Sequence, residues 1–109
     1  MQLSKQFSAF LDAAKEDVRL TPAHISLYCV LLYSWNKQAM ESPLVIIRKQ
    51  VMLMSKISGR STYNKCMHEL HNYGYIQYQP SFNAYVGSLV FLSGFPECIA
   101  TIRLHKKRV

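Results

Sequence analysis

Side chains that can bind an anion are concentrated in one part of the chain. Between residues 42 and 79 there are five lysines and arginines but only one acidic residue, Glu69. Guanidinium and ammonium groups bind phosphate oxygens, and a helix N-terminus offers backbone N–H groups for the same purpose. An excess of this kind predicts a polyanionic partner, most often nucleic acid. The five basic residues are Arg48, Lys49, Lys56, Arg60 and Lys65.

Residues that could support catalysis or bind a metal do not form a recognisable pattern. Cys66, His68 and His71 lie close in sequence, but residues 66 and 68 face apart on a helix and no second ligand pair follows at a useful spacing. The chain has no glycine-rich phosphate loop, and its few acidic residues are scattered. We therefore expect no enzymatic activity, no metal site and no cofactor. A Cys–His nucleophile assembled by the fold stays open, although no pattern favours it.

Length and composition predict one basic domain. The chain has 109 residues, of which 50% are apolar and 12% aromatic, and this content argues against disorder. Its net charge of +7 is unevenly distributed, because residues 1–41 carry four basic and four acidic side chains. The three cysteines are far apart and odd in number, and no apolar signal segment opens the chain. We expect a cytoplasmic, nucleoid-associated protein with no membrane partner and no small-molecule substrate.

The N-terminal part of the chain has the periodicity of two helices. Residues 3–18 predict an amphipathic helix that either lies on the core or joins two copies of the chain. A second helix should begin after Thr21, which can cap it, with Pro22 in its first turn, and should end near residue 38. It is apolar nearly all round, which is typical of a central core element. His24 lies in its first turn, where we expect a solvated or capping histidine. The predicted inward stripe of the first helix is Leu3, Phe7, Phe10, Leu11, Ala14 and Val18.

The remainder predicts strands around a pair of helices. In the first helix of the pair, Val51, Leu53, Met54 and Ile57 should face inward. The second should bury Tyr63, Cys66, Met67, Leu70 and Tyr73 and stop at Gly74 in a left-handed conformation. The expected elements are a strand at 44–47, a helix from 48, a turn at 58–59, a helix from 60 or 61 to 73, and strands at 75–78 and 88–92 around a loop at 80–87.

This order predicts a mainly α fold with a small antiparallel β-hairpin (α+β), specifically a winged helix-turn-helix. A strand before the helix pair would add a third strand to the sheet. We expect a single domain over residues 1–109, with an N-terminal helix at 1–19, a winged-helix core at 20–92, and a C-terminal extension at 93–109. The extension ends in a basic cluster, which is either a frayed terminus or a further phosphate contact.

Two stretches add a more specific resemblance. Residues 61–76 have the sequence STYNKCMHELHNYGYI, in which a Ser-Thr pair opens a helix, leucine precedes glycine by four residues, and an apolar pair follows. Residues 79–90, QPSFNAYVGSLV, contain a Pro-Ser-aromatic motif followed by Gly-Ser. Together they resemble small winged helix-turn-helix DNA-binding proteins of bacterial conjugative transposons and other mobile elements. The resemblance implies sequence-specific binding of double-stranded DNA, most simply by a transcriptional regulator, and a homodimer is possible.

Two alternatives to a transcriptional regulator stay open. The protein could be an architectural, excision or replication-initiation factor of a mobile element, which binds DNA in order to bend it or to load other proteins. It could also be a winged-helix module that binds an acidic protein. The loop at 80–87 favours this second alternative, since it lacks Lys and Arg and so departs from wings that track DNA.

The expected DNA contacts divide by chemistry. Arg60 and Lys65 suit guanine edges and Asn64 suits adenine, with the helix from residue 60 in the major groove. Ser61 and Thr62 suit a phosphate at the helix N-terminus, although Ser61 could instead be a plain N-cap. The remaining candidates are Arg48, Lys49 and Lys56 for phosphates, His68 on the outer helix face, and Asn83 and Tyr85 in the wing for the backbone or minor groove.

Overall fold

Four helices and three short strands make up the residues that the computed structural model describes, which are 3–40, 43–81 and 87–92. The fold is mainly helical with a small antiparallel sheet, as the sequence predicts. Every predicted helix and strand is present to within two residues at each end. The elements are α1 (Leu3–Glu16), α2 (Pro22–Lys37), β1 (Leu44–Ile46), α3 (Arg48–Ser55), α4 (Arg60–Asn72), β2 (Ile76–Gln79) and β3 (Ser88–Leu92).

The sheet joins strands that are distant in sequence. Its order is β1-β3-β2 with both pairs antiparallel, so the strand before the helix pair does add the third strand. The outer edge of β1 is occupied by a side chain, since the Gln38 amide donates to the Val45 carbonyl at 2.7 Å and accepts from the Val45 N–H at 3.1 Å. An occupied edge is a poor template for pairing with another strand.

Helix α2 forms the centre of the core, as its apolar pattern predicts. Leu27, Tyr28 and Leu31 have no exposed surface, and α1, α3, α4 and β1 all pack against this helix. Phe10 of α1 stacks on Tyr28 with 3.8 Å between ring centroids. Thr21 is the N-cap and Pro22 the first helical residue, as expected. Helix α2 is thus the buried element that positions the other three helices and β1.

Helix α1 rests on α2 through only part of the predicted stripe, since Phe10 is buried and Leu3 and Ala14 pack against the core. Its buried residues are Gln6, Phe10 and Ala13, whereas Phe7 and Leu11 are 41% and 38% exposed. The apolar residues of this helix cover two adjacent stripes, and tertiary packing selects the one that brings Phe10 onto Tyr28. Val18 is 97% exposed because the helix ends at Glu16, so its periodicity does not reach residue 18.

Helix α3 is also rotated relative to the prediction. Val51 and Ile57 are buried as expected, but Leu53 is 72% exposed and Met54 is 45% exposed. The buried stripe of this short helix is formed by Val51 and Ser55, which are four residues apart. The Ser26 hydroxyl of α2 donates to the Ser55 carbonyl at 2.7 Å. A small residue at 55 allows this close approach, and it turns Leu53 and Met54 toward solvent.

A buried carboxylate connects the N-terminal helices to the sheet. Asp17 accepts hydrogen bonds from Arg19 Nε at 2.9 Å and from the Tyr75 hydroxyl at 2.7 Å. The bond to Asp17 raises the pKa of Arg19, and the guanidinium lies 4.0 Å from the Tyr73 ring centroid. These contacts tie the connection between α1 and α2 to the connection between α4 and β2. Gly74 begins the latter connection with a φ of 91°, the left-handed stop that was predicted.

Replacing Tyr75 by phenylalanine should lower the free energy of unfolding by about 1–2 kcal/mol, because the buried Asp17 carboxylate loses a donor. Urea denaturation followed by circular dichroism measures this change. Tyr33→Phe is the matched control, since the Tyr33 side chain is 47% exposed and should tolerate loss of its hydroxyl. Equal effects of the two substitutions would contradict the role assigned to Asp17.

Candidate nucleic-acid interface

Helix α4 separates an inner apolar face from an outer polar face. Tyr63, Cys66, Met67 and Leu70 are buried, as predicted, and Tyr73 packs half-buried against the core. The N-cap is Gly59 and not Ser61, so Ser61 is the second residue of the helix, within the turn whose backbone N–H groups have no helical acceptor. The outer-face candidates Arg60, Ser61, Thr62, Asn64, Lys65 and His68 are all exposed.

The outer face includes a residue that the sequence reasoning missed. Ser61, Lys65, His68 and Asn72 follow the spacing i, i+4, i+7 and i+11, which places them on one stripe of the helix. All four are exposed. Asn72 can donate to and accept from a base edge. The same periodicity that sorted the other residues of α4 would have found it.

The N-termini of α3 and α4 open onto a common cleft of about 460 Å³. Arg48 and Lys49 line it from the start of α3, and Arg60 lines it from the start of α4. Because the free N–H groups of a helix N-terminus favour anions, two such ends with three cations suit a phosphate. On the sheet side the lining includes Ser81, Gly87 and Ser88, which belong to the motifs of residues 79–90 but were not predicted as contacts.

Gly87 allows the sheet to close this cleft. Its φ is +81°, and a Cβ at this position would lie 2.9 Å from the Ile46 carbonyl oxygen. Glycine therefore permits the start of β3 to lie against the end of β1. Only Ile47 separates this end of β1 from the start of α3. The Ser81 N–H donates to the Ser88 hydroxyl at 3.2 Å across the base of the loop. The Gly-Ser pair at residues 87–88 was the available signal for these contacts.

The charges around α3 and α4 are almost entirely positive. All five basic residues of this region, including Lys56 at the left-handed C-cap of α3, are exposed. Within the described ranges none of the five forms a salt bridge. Glu69 is the only acidic residue between positions 42 and 92, and its Oε1 lies 2.8 Å from His24 Nε2 on the core side. The one local carboxylate is therefore held away from the outer stripe of α4.

Of the two alternatives expected for His24, a solvated or a capping histidine, the structure shows the capping one. The ring caps α2, since its Nδ1 accepts from the Thr21 backbone N–H at 2.9 Å. It is not solvated, however, because the side chain is buried between α2 and α4. With Nδ1 as an acceptor, the proton of the neutral ring is on Nε2 and is donated to Glu69. His24 thus links the start of α2 to α4.

Cys66 lies beside this pair, and the three ligand atoms are within 4.8 Å of one another. His, Cys and Glu are all zinc ligands, but binding through Nε2 would require the proton to move to Nδ1, where the Thr21 N–H already points. Burial raises the pKa of the Cys66 thiol and Glu69 raises it further, whereas Lys65 lowers it. The hydrogen bonding therefore favours a link between α2 and α4 through His24 and Glu69 over a metal site.

Three expectations cannot be placed. Asn83, Tyr85 and the extension at 93–109 lie outside the described residues.

Among the helices of the described ranges, none combines the length and the apolar character needed to cross a bilayer. Comparison with protein families, with curated proteins and with solved structures finds no match to this chain.

Glu69→Ala should lower the free energy of unfolding by about 1–2 kcal/mol, because the buried Nε2–H of His24 loses its acceptor. Glu69→Gln keeps an acceptor oxygen and should have the smaller effect.

Thermal denaturation of the unchanged chain with added Zn²⁺, and separately with a chelator, should give the same transition temperature. A rise with Zn²⁺ that Cys66→Ser abolishes would show instead that the cluster binds metal.

Proposed function

We propose that this protein is a winged helix-turn-helix that binds double-stranded DNA in a sequence-specific manner and acts as a transcriptional regulator. The observation that carries the proposal is the exposed outer face of α4, on which Arg60, Asn64 and Lys65 continue directly from the basic cleft. In this arrangement α4 enters the major groove and the cleft receives the DNA backbone. Neither the charge nor the topology alone would favour this function as strongly.

The arrangement of the elements supports the winged-helix assignment. Two helices, α3 and α4, are joined by the short segment from Lys56 to Gly59, and α4 is followed directly by an antiparallel pair of strands. The third strand, β1, comes before the helix pair and joins the sheet beside β3. This is the order that the sequence led us to expect, with α4 in the position of the recognition helix.

The spacing of the outer residues fits a short stretch of bases. Lys65 lies five positions after Arg60, which is about 7.5 Å along a helix and corresponds to roughly two base-pair steps. Arg60 or Lys65 would donate to guanine, and Asn64 would pair with adenine in the bidentate manner. Phosphates would bind Arg48 and Lys49 in the cleft and the backbone N–H groups near Ser61 and Thr62. The base contacts would supply the sequence specificity, and the phosphate contacts in the cleft would fix the position of the protein on the duplex.

The regulatory role is the simplest one implied by the resemblance of residues 61–76 and 79–90 to small winged helix-turn-helix DNA-binding proteins of mobile elements. A protein that occupies a promoter through α4 would block or recruit other proteins there. An architectural factor would instead bend its site, and a module that binds acidic proteins would have little affinity for duplex. The experiment that tests the proposal therefore begins with affinity for duplex DNA.

Fluorescence anisotropy with a labelled duplex, repeated over a series of salt concentrations, measures that affinity. If Arg48, Lys49 and Lys56 contact phosphates, the logarithm of the affinity should fall against the logarithm of salt concentration with a slope of about −3. Arg48→Ala should reduce the steepness by about 1 and weaken binding to all duplexes alike, because it removes a phosphate contact.

Lys37→Ala is the matched control, since Lys37 is an equally exposed cation at the end of α2, in the neutral part of the chain. It should leave both the affinity and the slope unchanged. No detectable binding to duplex at low salt would refute the proposal. Equal losses in the two variants would place the DNA on a different surface.

A further inference from the structure

An apolar surface on α1 and α2 takes no part in the proposed DNA contacts. The side chains of Phe7, Leu11 and Tyr33 are 41%, 38% and 47% exposed. Phe7 and Tyr33 border a groove between the two helices, with a volume of about 330 Å³, whose floor is formed by Leu3, Cys29 and Leu32. We call this surface, together with Leu11, the α1–α2 groove. Exposed apolar side chains gathered in this way are typical of an interaction site.

The charge of this part of the chain favours a second copy as its occupant. Two molecules of net charge +7 repel each other where their basic surfaces meet. Residues 1–41 carry no net charge, so this repulsion is weakest when the molecules meet through α1 and α2. The exposed side chains of α1 also include both signs, with Lys5 in the first half of the helix and Asp12 in the second.

We propose that the α1–α2 groove binds α1 of a second copy of this chain, in an antiparallel pair with two-fold symmetry. In this pair Phe7 of each copy lies opposite Leu11 of the other. The two positions that face each other always add up to 18, so position 5 faces position 13 of the second copy. Lys5 then lies one residue, about 1.5 Å along the axis, from Asp12 of the second copy. Lys5 and Asp12 are nearly two full turns apart and so share one flank of the helix, as such a pair requires.

The dimer has two consequences. Phe7 and Leu11 of each copy are covered, and two Lys5–Asp12 pairs flank the apolar contact. Two copies related by a two-fold axis also present two α4 helices, which suits a DNA site with two half-sites. Self-association does not itself require DNA binding. The two proposals can therefore fail separately.

The mass of the full chain in solution without DNA tests the proposal, by light scattering during size-exclusion chromatography. The expected mass is twice the 12.6 kDa of one chain. Phe7→Glu should raise the dissociation constant of the dimer by about thirtyfold or more, because a charge enters the centre of the contact. Leu53→Glu is the matched control, since Leu53 is exposed on α3 outside this surface and the dimer should be unchanged.

Charge reversal tests the register without altering the apolar surface. Lys5→Asp and Asp12→Lys should each weaken the dimer by about tenfold, and the double variant should restore it because the pairs reform with opposite sign. Circular dichroism establishes that each variant is folded; if Phe7→Glu is not, the charge variants decide. A monomer at all concentrations, or a dimer unaffected by Phe7→Glu, would overturn the proposal. A double variant as weak as the single ones would overturn the antiparallel register.

Discussion

The burial of α2 on nearly all sides is the constraint on which the rest of the structure depends. Leu27, Tyr28 and Leu31 leave no surface exposed, so α1, α3, α4 and β1 must each turn one face toward this helix. For α4 that face is Tyr63, Cys66, Met67 and Leu70. Because α4 packs on the core through this one stripe, its opposite stripe is presented to solvent. The packing of the core thereby determines which residues of α4 can meet another molecule.

The same packing determines the charge of that exposed surface. His24 at the start of α2 uses one ring nitrogen to cap its own helix and the other to hold Glu69 of α4. This interaction turns the only carboxylate of the region toward the core side of α4. The cations at residues 48, 49 and 60 then surround a cleft with no acidic residue in its lining. A structural hydrogen bond thus contributes to the electrostatics of the proposed DNA-binding surface.

Much of this arrangement could be predicted from the sequence, and the exceptions have physical causes. The faces of α4 were predictable because its apolar residues follow a single clean period ending at Gly74. The inner face of α1 was predicted only in part, since its apolar residues cover two adjacent stripes and the contact with Tyr28 of α2 buries Phe10 but not Phe7.

Contacts between distant segments were beyond the reach of pattern analysis. His24 and Glu69 are 45 residues apart, and neither residue type signals that partner. The cleft likewise combines the starts of two helices with Ser81, which follows β2, and with Gly87 and Ser88 at the start of β3. The lining includes residues from the start of α3, the start of α4 and the two ends of the β2–β3 connection. The sheet order β1-β3-β2 brings these distant segments together.

The central claim is that DNA binds to the outer face of α4 and to the adjacent cleft. The most direct test is to follow the backbone amide resonances of the full chain by NMR while a DNA duplex is added. We expect the largest shift changes in residues 48–49, 60–72 and 87–88, with little change in the C-terminal half of α2. Largest changes in α1 and the C-terminal half of α2, with α4 unaffected, would contradict DNA binding at α4.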